Sequence, residues 1–272
     1  MRGTSRASLS AVKLRLDDAL PGGSAAQWSQ LGDELFEVAS LLDREPGLRR
    51  ALSDPSRGSA ARSGLAVALL GGKISAEALD QVSGLVAERW SAPADLADAS
   101  EELAVIAMAK AADAEGSLDE TEDELFRFGR IVAGNPGLRS ALSNQFAPAA
   151  ARQAVVTDLL AGKVGDAALR LITRAAGYPR RRSLDASLDL YARLAAELRE
   201  RLVAEVRVAR PLTDAQRDRL AASLAAAYGR RVHVNVVLDP EVIGGMSVRI
   251  GDQLINGTAV SRLADLRRRL SA

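Results

Sequence analysis

Apolar residues recur at helical spacing through the first two thirds of this chain and then switch to strict alternation. Trp28, Leu31, Leu35, Val38 and Leu42 fall on one stripe of a 3.6-residue helix, and Leu118, Leu125, Phe128 and Val132 fall on another. Pro46 and Pro136 end these long helices, because the residue before proline is pushed out of the α region. The short segments GLRRAL and GLRSAL follow. A further helix carries Leu65, Leu69 and Leu70, or Val155, Leu159 and Leu160. Gly72 or Gly162 closes it, since glycine enters the left-handed conformation without a side-chain clash. Leu79, Val82 and Val86 mark the last helix of the first set, and Leu169 and Ile172 that of the second. Leu9, Val12 and Leu16 predict a helix at the start. That opening stretch is rich in Ser and Arg, as transit peptides are, but its helical spacing reads as an ordinary first helix.

The two sets are one unit written twice. Residues 34 to 85 align with residues 124 to 175 without a gap and are identical at 19 of 52 positions, where chance in so biased a composition gives roughly five. The identities include Glu34, Leu35 and Phe36 with Glu124, Leu125 and Phe126, and Ala61 and Arg62 with Ala151 and Arg152. They predict two tandem helical bundles, residues 1–91 and 92–182. The stretch GYPRRRS, residues 177 to 183, interrupts the pattern before a helix from Leu184 to Val203.

From Val206 the period becomes two. Val206 and Val208 alternate with Glu205 and Arg207, and Thr213 with Gln216 three residues on makes a capping box for a helix. Val232, Val234, Val236 and Leu238 share one face of a half-buried strand, with Arg231, His233 and Asn235 on the other. Met246, Val248 and Ile250 form a second alternating set, followed by a Gly251-Asp252 turn, a short returning strand and a last helix from Val260 to Leu270. Residues 183–272 therefore predict a connecting helix and a small α+β domain, within a chain that is mainly α.

Composition narrows the chemistry. Aromatic residues make up only 3 % of the chain, and 36 basic residues nearly cancel 35 acidic ones. Net charge thus gives no pull toward nucleic acid or an anionic membrane. The absence of cysteine removes disulfides and thiolate chemistry and fits a reducing, intracellular setting. No stretch reaches the ~20 apolar residues of a spanning helix. The single histidine, His233, has neither a cysteine nor a second histidine to share a metal. Gly71, Gly72 and Lys73 look like the end of a phosphate-binding loop, but Ile74 stands where Ser or Thr must reach magnesium, and helix capping explains the glycines. The residues imply no catalytic site, metal or cofactor. Arginines 180–182 and 267–269 leave one alternative, a helical adaptor that binds nucleic acid, although no aromatics are interleaved to stack bases.

Read together, VAEVRVARPLTDAQ, RVHVNVVLDPEVIGGMSVRIGDQLINGT and SRLADLRRRL resemble the C-terminal domain of the δ subunit of bacterial F-type ATP synthase, a relative of the mitochondrial oligomycin-sensitivity conferral protein. The motif residues are Asp239, Ile243, Gly244, Gly245, Gly251 and Asp252. The long helices and the Pro-Gly-Leu-Arg segments resemble that family's N-terminal six-helix bundle more loosely. The resemblance implies a non-catalytic stator subunit without cofactors, on the cytoplasmic face of the bacterial membrane and touching the membrane only through its complex. Its implied partners are N-terminal helices of the α subunits, received in a groove between the bundle's first and fifth helices, and the C-terminal region of the b subunit. The doubled bundle resembles enlarged actinobacterial versions. Position beside the C-terminal domain makes the second copy the equivalent of the single bundle, so Val105, Met108, Leu169 and Ile172 are either groove residues or ordinary core. The first copy is left as a second α-helix site, a surface for b or a spacer.

Overall fold

Capping side chains and prolines open the helices where the apolar stripes begin. The computed structural model describes residues 3–256 except 145, 181, 200, 201, 229–231, 241, 243, 244, 251 and 252. The first copy holds α1 (Gly3–Asp17), α2 (Ala25–Arg44), α3 (Pro46–Ser53), α4 (Ser59–Leu70) and α5 (Ala76–Ala87). After α6 (Pro93–Glu115) the second copy repeats the order as α7 (Leu118–Gly134), α8 (Pro136–Ser143), α9 (Ala149–Leu160) and α10 (Asp166–Gly177), and α11 (Leu184–Arg199) follows. Ser24 and Gln27 form a reciprocal capping box on α2, with Gln27 N donating to Ser24 Oγ and Ser24 N donating to Gln27 Oε1 at 2.9 Å. PGLRRALS and PGLRSALS are helices in their own right, each with proline in the first turn, where a missing N–H costs nothing. Gly72 and Gly162 take φ of 73° and 72° just past α4 and α9, the left-handed exit foreseen for them.

Residues up to Leu198 form one compact unit, and the residues from Arg199 form a second. The first is built on a single hydrophobic core that runs through both copies, from Leu16, Leu35 and Leu85 to Leu125, Leu142 and Leu171. Two helices join the copies. α6 runs along α2 so closely that a Cβ on Gly32 would stand 2.8 Å from Met108 Cε and 3.2 Å from the Ala104 carbonyl. α11, expected as a connector to the C-terminal domain, instead buries Leu184, Leu188, Tyr191 and Leu194 in the helical core. Its four apolar side chains place the boundary after residue 198, not at 182/183.

The copies divide their volume differently. Val38 lines a cavity with Leu42, Leu52, Ala66 and Leu85. Ninety residues later Phe128 stands for Val38, Val156 for Ala66 and Ala175 for Leu85, and all three are buried. Bulk has moved from the fifth helix of the unit to the second. Val38→Phe alone is expected to overpack this region and cost about 1–3 kcal/mol. Leu85→Ala alone costs about 2–5 kcal/mol. The double variant should lose clearly less than the sum, which a double-mutant cycle by chemical denaturation reads directly.

The second unit comprises β1 (Leu202–Val208), α12 (Asp214–Tyr228), β2 (Val232–Leu238), β3 (Met246–Ile250) and β4 (Gln253–Asn256). The sheet order is β2-β1-β3-β4. β1 and β2 are parallel, joined through α12, while β3 runs antiparallel to both β1 and β4. The strand begins at Leu202, earlier than the residue 206 read from the sequence, because Ala204 shares the buried face with Val206 and Val208. Thr213 and Gln216 cap α12 as expected. Val232 and Val234 are buried on β2, Val236 is half-buried, and Leu238 leaves the core and is exposed. The side chain of His233 and the predicted helix from Val260 to Leu270 lie outside the described residues.

Candidate functional site

Repeated polar side chains hold the ends of the helices in both copies. Arg62 is buried on α4 and donates to the carbonyls of Val86 (2.6 Å), Ala87 (2.8 Å) and Glu88 (3.2 Å) at the C-terminus of α5, and to those of Asp54 and Arg57. Arg152 does the same on α9, reaching Ala176 (2.8 Å) and Gly177 (2.7 Å) at the end of α10, with Asn144 (2.9 Å) and Ala147 (2.6 Å). A guanidinium there satisfies orphan carbonyls and sits at the negative end of the helix dipole. At the opposite pole, Glu34 Oε2 accepts from Ser75 N at 3.2 Å and from its hydroxyl at 2.5 Å. Glu124 accepts from Gly165 N at 3.1 Å. Each carboxylate thus lies at the positive end of the fifth helix of its unit. Lys163, the repeat equivalent of Lys73, donates to the Leu159 carbonyl at 2.8 Å and closes α9.

A second group of charges fastens α2 to the second copy. Arg170 on α10 bridges Asp33 at 2.5 Å, and Arg174 donates to the Phe36 carbonyl at 2.7 Å and to Ser40 Oγ. Arg174 also lies over the rings of Phe36 and Tyr178, at 4.8 and 4.4 Å from their centroids. Burial pulls its guanidinium below the usual range. Arg180, at φ 53°, pairs with Asp43 on α2 and with Asp98 (3.0 Å) and Glu101 (2.8 Å) on α6. Burial works against the Arg180 charge, but the hydrogen bond to Asp43 and the charge of Glu101 outweigh it and hold the group above its ordinary value. Glu101 also accepts from Tyr191 Oη at 2.8 Å and from Arg182 at 2.7 Å. Burial first, and the Glu101 carboxylate next, push the Tyr191 hydroxyl well above its usual range, so it remains a donor.

These positions revise several expectations. Val105, Met108 and Ile172 are fully buried core residues, and Leu169 is half-buried against the same core. For Val105, Met108 and Ile172 the core alternative holds, and α2 lies on α6 over Met108, whereas Leu169 keeps part of its surface exposed. The arginine cluster at 180–182 is corrected too, since Arg180 is buried and Arg182 is paired with Glu101 and Asp98. Arg181 and Arg267 to Arg269 lie outside the described residues. In the C-terminal motif Asp239 N donates to the Val208 carbonyl at 2.9 Å, tying the end of β2 to β1, and Arg207 lies 3.6 Å from its carboxylate. Gly245 takes φ 85° immediately before β3, a conformation that favours glycine. Ile243, Gly244, Gly251 and Asp252 fall outside the described residues. Sequence reasoning noticed the identities at Glu34/Glu124 and Arg62/Arg152 but missed their role. For the arginines the signal was available: a charge repeated unchanged inside the largely apolar helices SAARSGLAVALL and AAARQAVVTDLL.

No described group of His, Cys, Asp and Glu is arranged to hold a metal. No described helix is long and apolar enough to cross a membrane. The distinctive chemistry is spent on holding helices in register, which defines an architectural, helix-packing protein with a small α+β appendage. A sequence model described as "ATP synthase delta (OSCP) subunit" matches residues 105–270. The chain is 50 % identical over 270 residues to ATP synthase subunit delta of Streptomyces avermitilis, covering 99 % of this chain and 98 % of that protein. It is 48 % identical to that of Streptomyces griseus and 46 % identical to that of Thermobifida fusca, in both cases over 100 % of each chain. The chain belongs to the ATP synthase delta (OSCP) subunit family. It is a non-catalytic, peripheral-stalk subunit that associates with other subunits of that membrane-associated complex. The family match covers the second copy and the sheet domain, whereas the relatives align through the first copy as well.

Proposed function

We propose that this chain is the stator adaptor that ties N-terminal helices of the α subunits to the C-terminal region of the b subunit, at the cytoplasmic face of the bacterial membrane, during proton-driven ATP synthesis. The reading is carried by full-length similarity to actinobacterial delta subunits together with a helical unit that exposes apolar side chains. Leu14, Val67 and Leu69 are exposed in the first copy, and Phe126, Ile131, Val155 and Leu159 in the second. Such surfaces suit an amphipathic partner helix, read by one apolar face. A stator also needs resistance to shear, which a continuous core and buried ion pairs supply without any reaction centre.

The test is calorimetric titration of the full chain with a synthetic peptide of the α-subunit N-terminus. Saturable 1:1 or 2:1 binding is expected, and no heat at micromolar peptide would sink the proposal. Titration with duplex and single-stranded DNA at low salt should give no binding, because the described arginines of the 180–182 cluster are engaged internally.

A further inference from the structure

Duplication makes each copy a reference for the other. On α2 a stripe of Asp33, Phe36, Glu37, Ser40 and Asp43 is met by arginines of the second copy. Arg170 bridges Asp33, and Arg180 pairs with Asp43. Between them Arg174 lies over the Phe36 ring, donates to Ser40 Oγ and stands 3.5 Å from the Glu37 carboxylate. Ninety residues on, the stripe reads Asp123, Phe126, Arg127, Arg130 and Ala133 on α7, and every member is exposed. Among the described residues no helix covers this face of α7 as α10 covers α2. Ala39, fully buried one turn beyond Phe36, has Gly129 as its equivalent, where an added Cβ would meet no neighbouring atom within 4 Å.

What changed between the copies states the chemistry of a neighbour that fits. The aromatic ring is kept. The two positions that face Arg174 on α2, Glu37 and Ser40, are both arginine on α7. Arg127 pairs with Asp123 one turn back at 3.1 Å, yet 66 % of its side chain stays in solvent. Two guanidiniums beside the ring repel a helix that carries arginine, so the α10 face of a second copy of this chain does not fit, whereas a carboxylate is attracted. Asp43, the anchor of Arg180, is replaced by Ala133, so that end of the stripe demands no charge. Gly129 and Ala133 lie on the same side of α7 as Phe126, three and seven residues on, and leave room beside the ring for a large apolar side chain.

We infer that the Phe126 stripe of α7 docks an acidic amphipathic helix of another subunit of the complex, packed as α10 packs on α2 but with a carboxylate in the place of Arg174. Its large apolar side chain lies against Phe126 over Gly129 and Ala133, and its acid faces Arg127 and Arg130. The inference rests on the chain's place in the complex and stands apart from the α-subunit contact of the proposed function. The experiment is photocrosslinking in the purified, assembled complex, with p-benzoylphenylalanine introduced at Phe126. The control position is Ile131, which is 56 % exposed but points roughly 140° away around α7. Phe126 should give an adduct on a helix of another subunit that carries Asp or Glu within one turn of the crosslinked residue, and Ile131 should not. Adding Arg127→Glu and Arg130→Glu to the Phe126 probe should lower the adduct yield roughly fivefold or more, because like charges then meet. An unchanged thermal melt will show that this variant folds, and changing the partner's acid to lysine should restore the yield. Four results would each overturn the inference: no adduct at Phe126, the same adduct from Ile131, a yield unmoved by the double variant, or an adduct on a segment without a carboxylate. An adduct on a second copy, or on residues 199–272 of the same chain, would overturn it too. None of these outcomes alters the α-peptide titration, so the adaptor function stands or falls separately.

Discussion

Arg180→Ala is expected to lower the stability of the helical unit by about 3 kcal/mol, toward the lower end of what breaking a buried ion pair costs. Arg180 is nearly fully buried and is the group on which Asp43 of α2 and Asp98 and Glu101 of α6 converge. Its removal strands carboxylates that were desolvated on its account. The loss is moderated because Arg182 still reaches Glu101 at 2.7 Å and Arg49 lies 3.5 Å from Asp43. For a unit of this size the change corresponds to a midpoint lower by roughly 6–12 °C. Arg180→Lys keeps the charge but not the planar fork, and should recover less than half of the loss. Adding Glu101→Gln to Arg180→Ala should restore part of it, since Tyr191 can still donate to the amide oxygen and one stranded charge is gone. Thermal unfolding followed by circular dichroism measures all three. A shift within experimental error for Arg180→Ala would show that the network merely decorates a junction held by apolar packing.

The helices were legible because their stripes are regular and their punctuation is chemical. Pro46, Pro136, Gly72 and Gly162 mark ends that the structure places within a residue or two. The alternation around Val206, Val234 and Val248 was equally plain. What periodicity could not reveal is which apolar stripes meet. A stripe says that one face is buried, and two copies of a unit suggest two cores. The observed single core depends on Gly32, an unremarkable glycine in sequence, which lets α6 come close to α2. It also depends on α11 turning Tyr191 inward to Glu101, a contact between residues ninety positions apart.

Site residues were harder for the same reason. Val105, Met108 and Ile172 are apolar and near the right elements, but an apolar residue reads alike from sequence whether it lines a groove or fills a core. Phe36 and Phe126 make the point from the other direction. They are identical repeat positions, yet Phe36 is 3 % exposed beneath Arg174 and Tyr191 while Phe126 is 58 % exposed. Duplication preserved the residue and changed what covers it. The family resemblance, in contrast, was carried by the order of small motifs in the sheet domain, and neither exposure nor packing was needed to see it.

The paired arginines offer the sharpest test of that single core. Arg62→Ala and Arg152→Ala each leave several helix-end carbonyls without a donor, and each is expected to cost about 2–4 kcal/mol. Lysine at either position should rescue little, because one ammonium cannot span carbonyls from two separate segments. Both tryptophans, Trp28 and Trp90, lie in the first copy and are buried, so fluorescence reports on that copy. If the copies were independent bundles, Arg152→Ala would melt the second while the fluorescence transition stayed in place. Because Leu35 and Leu85 share a core with Leu125 and Leu171, the expected result is that Arg152→Ala lowers the fluorescence midpoint about as much as Arg62→Ala does. The two sites share no described hydrogen-bond partner, so the double variant should lose about the sum of the single losses in one transition. A fluorescence midpoint unmoved by Arg152→Ala would instead make the first copy a separately folding bundle.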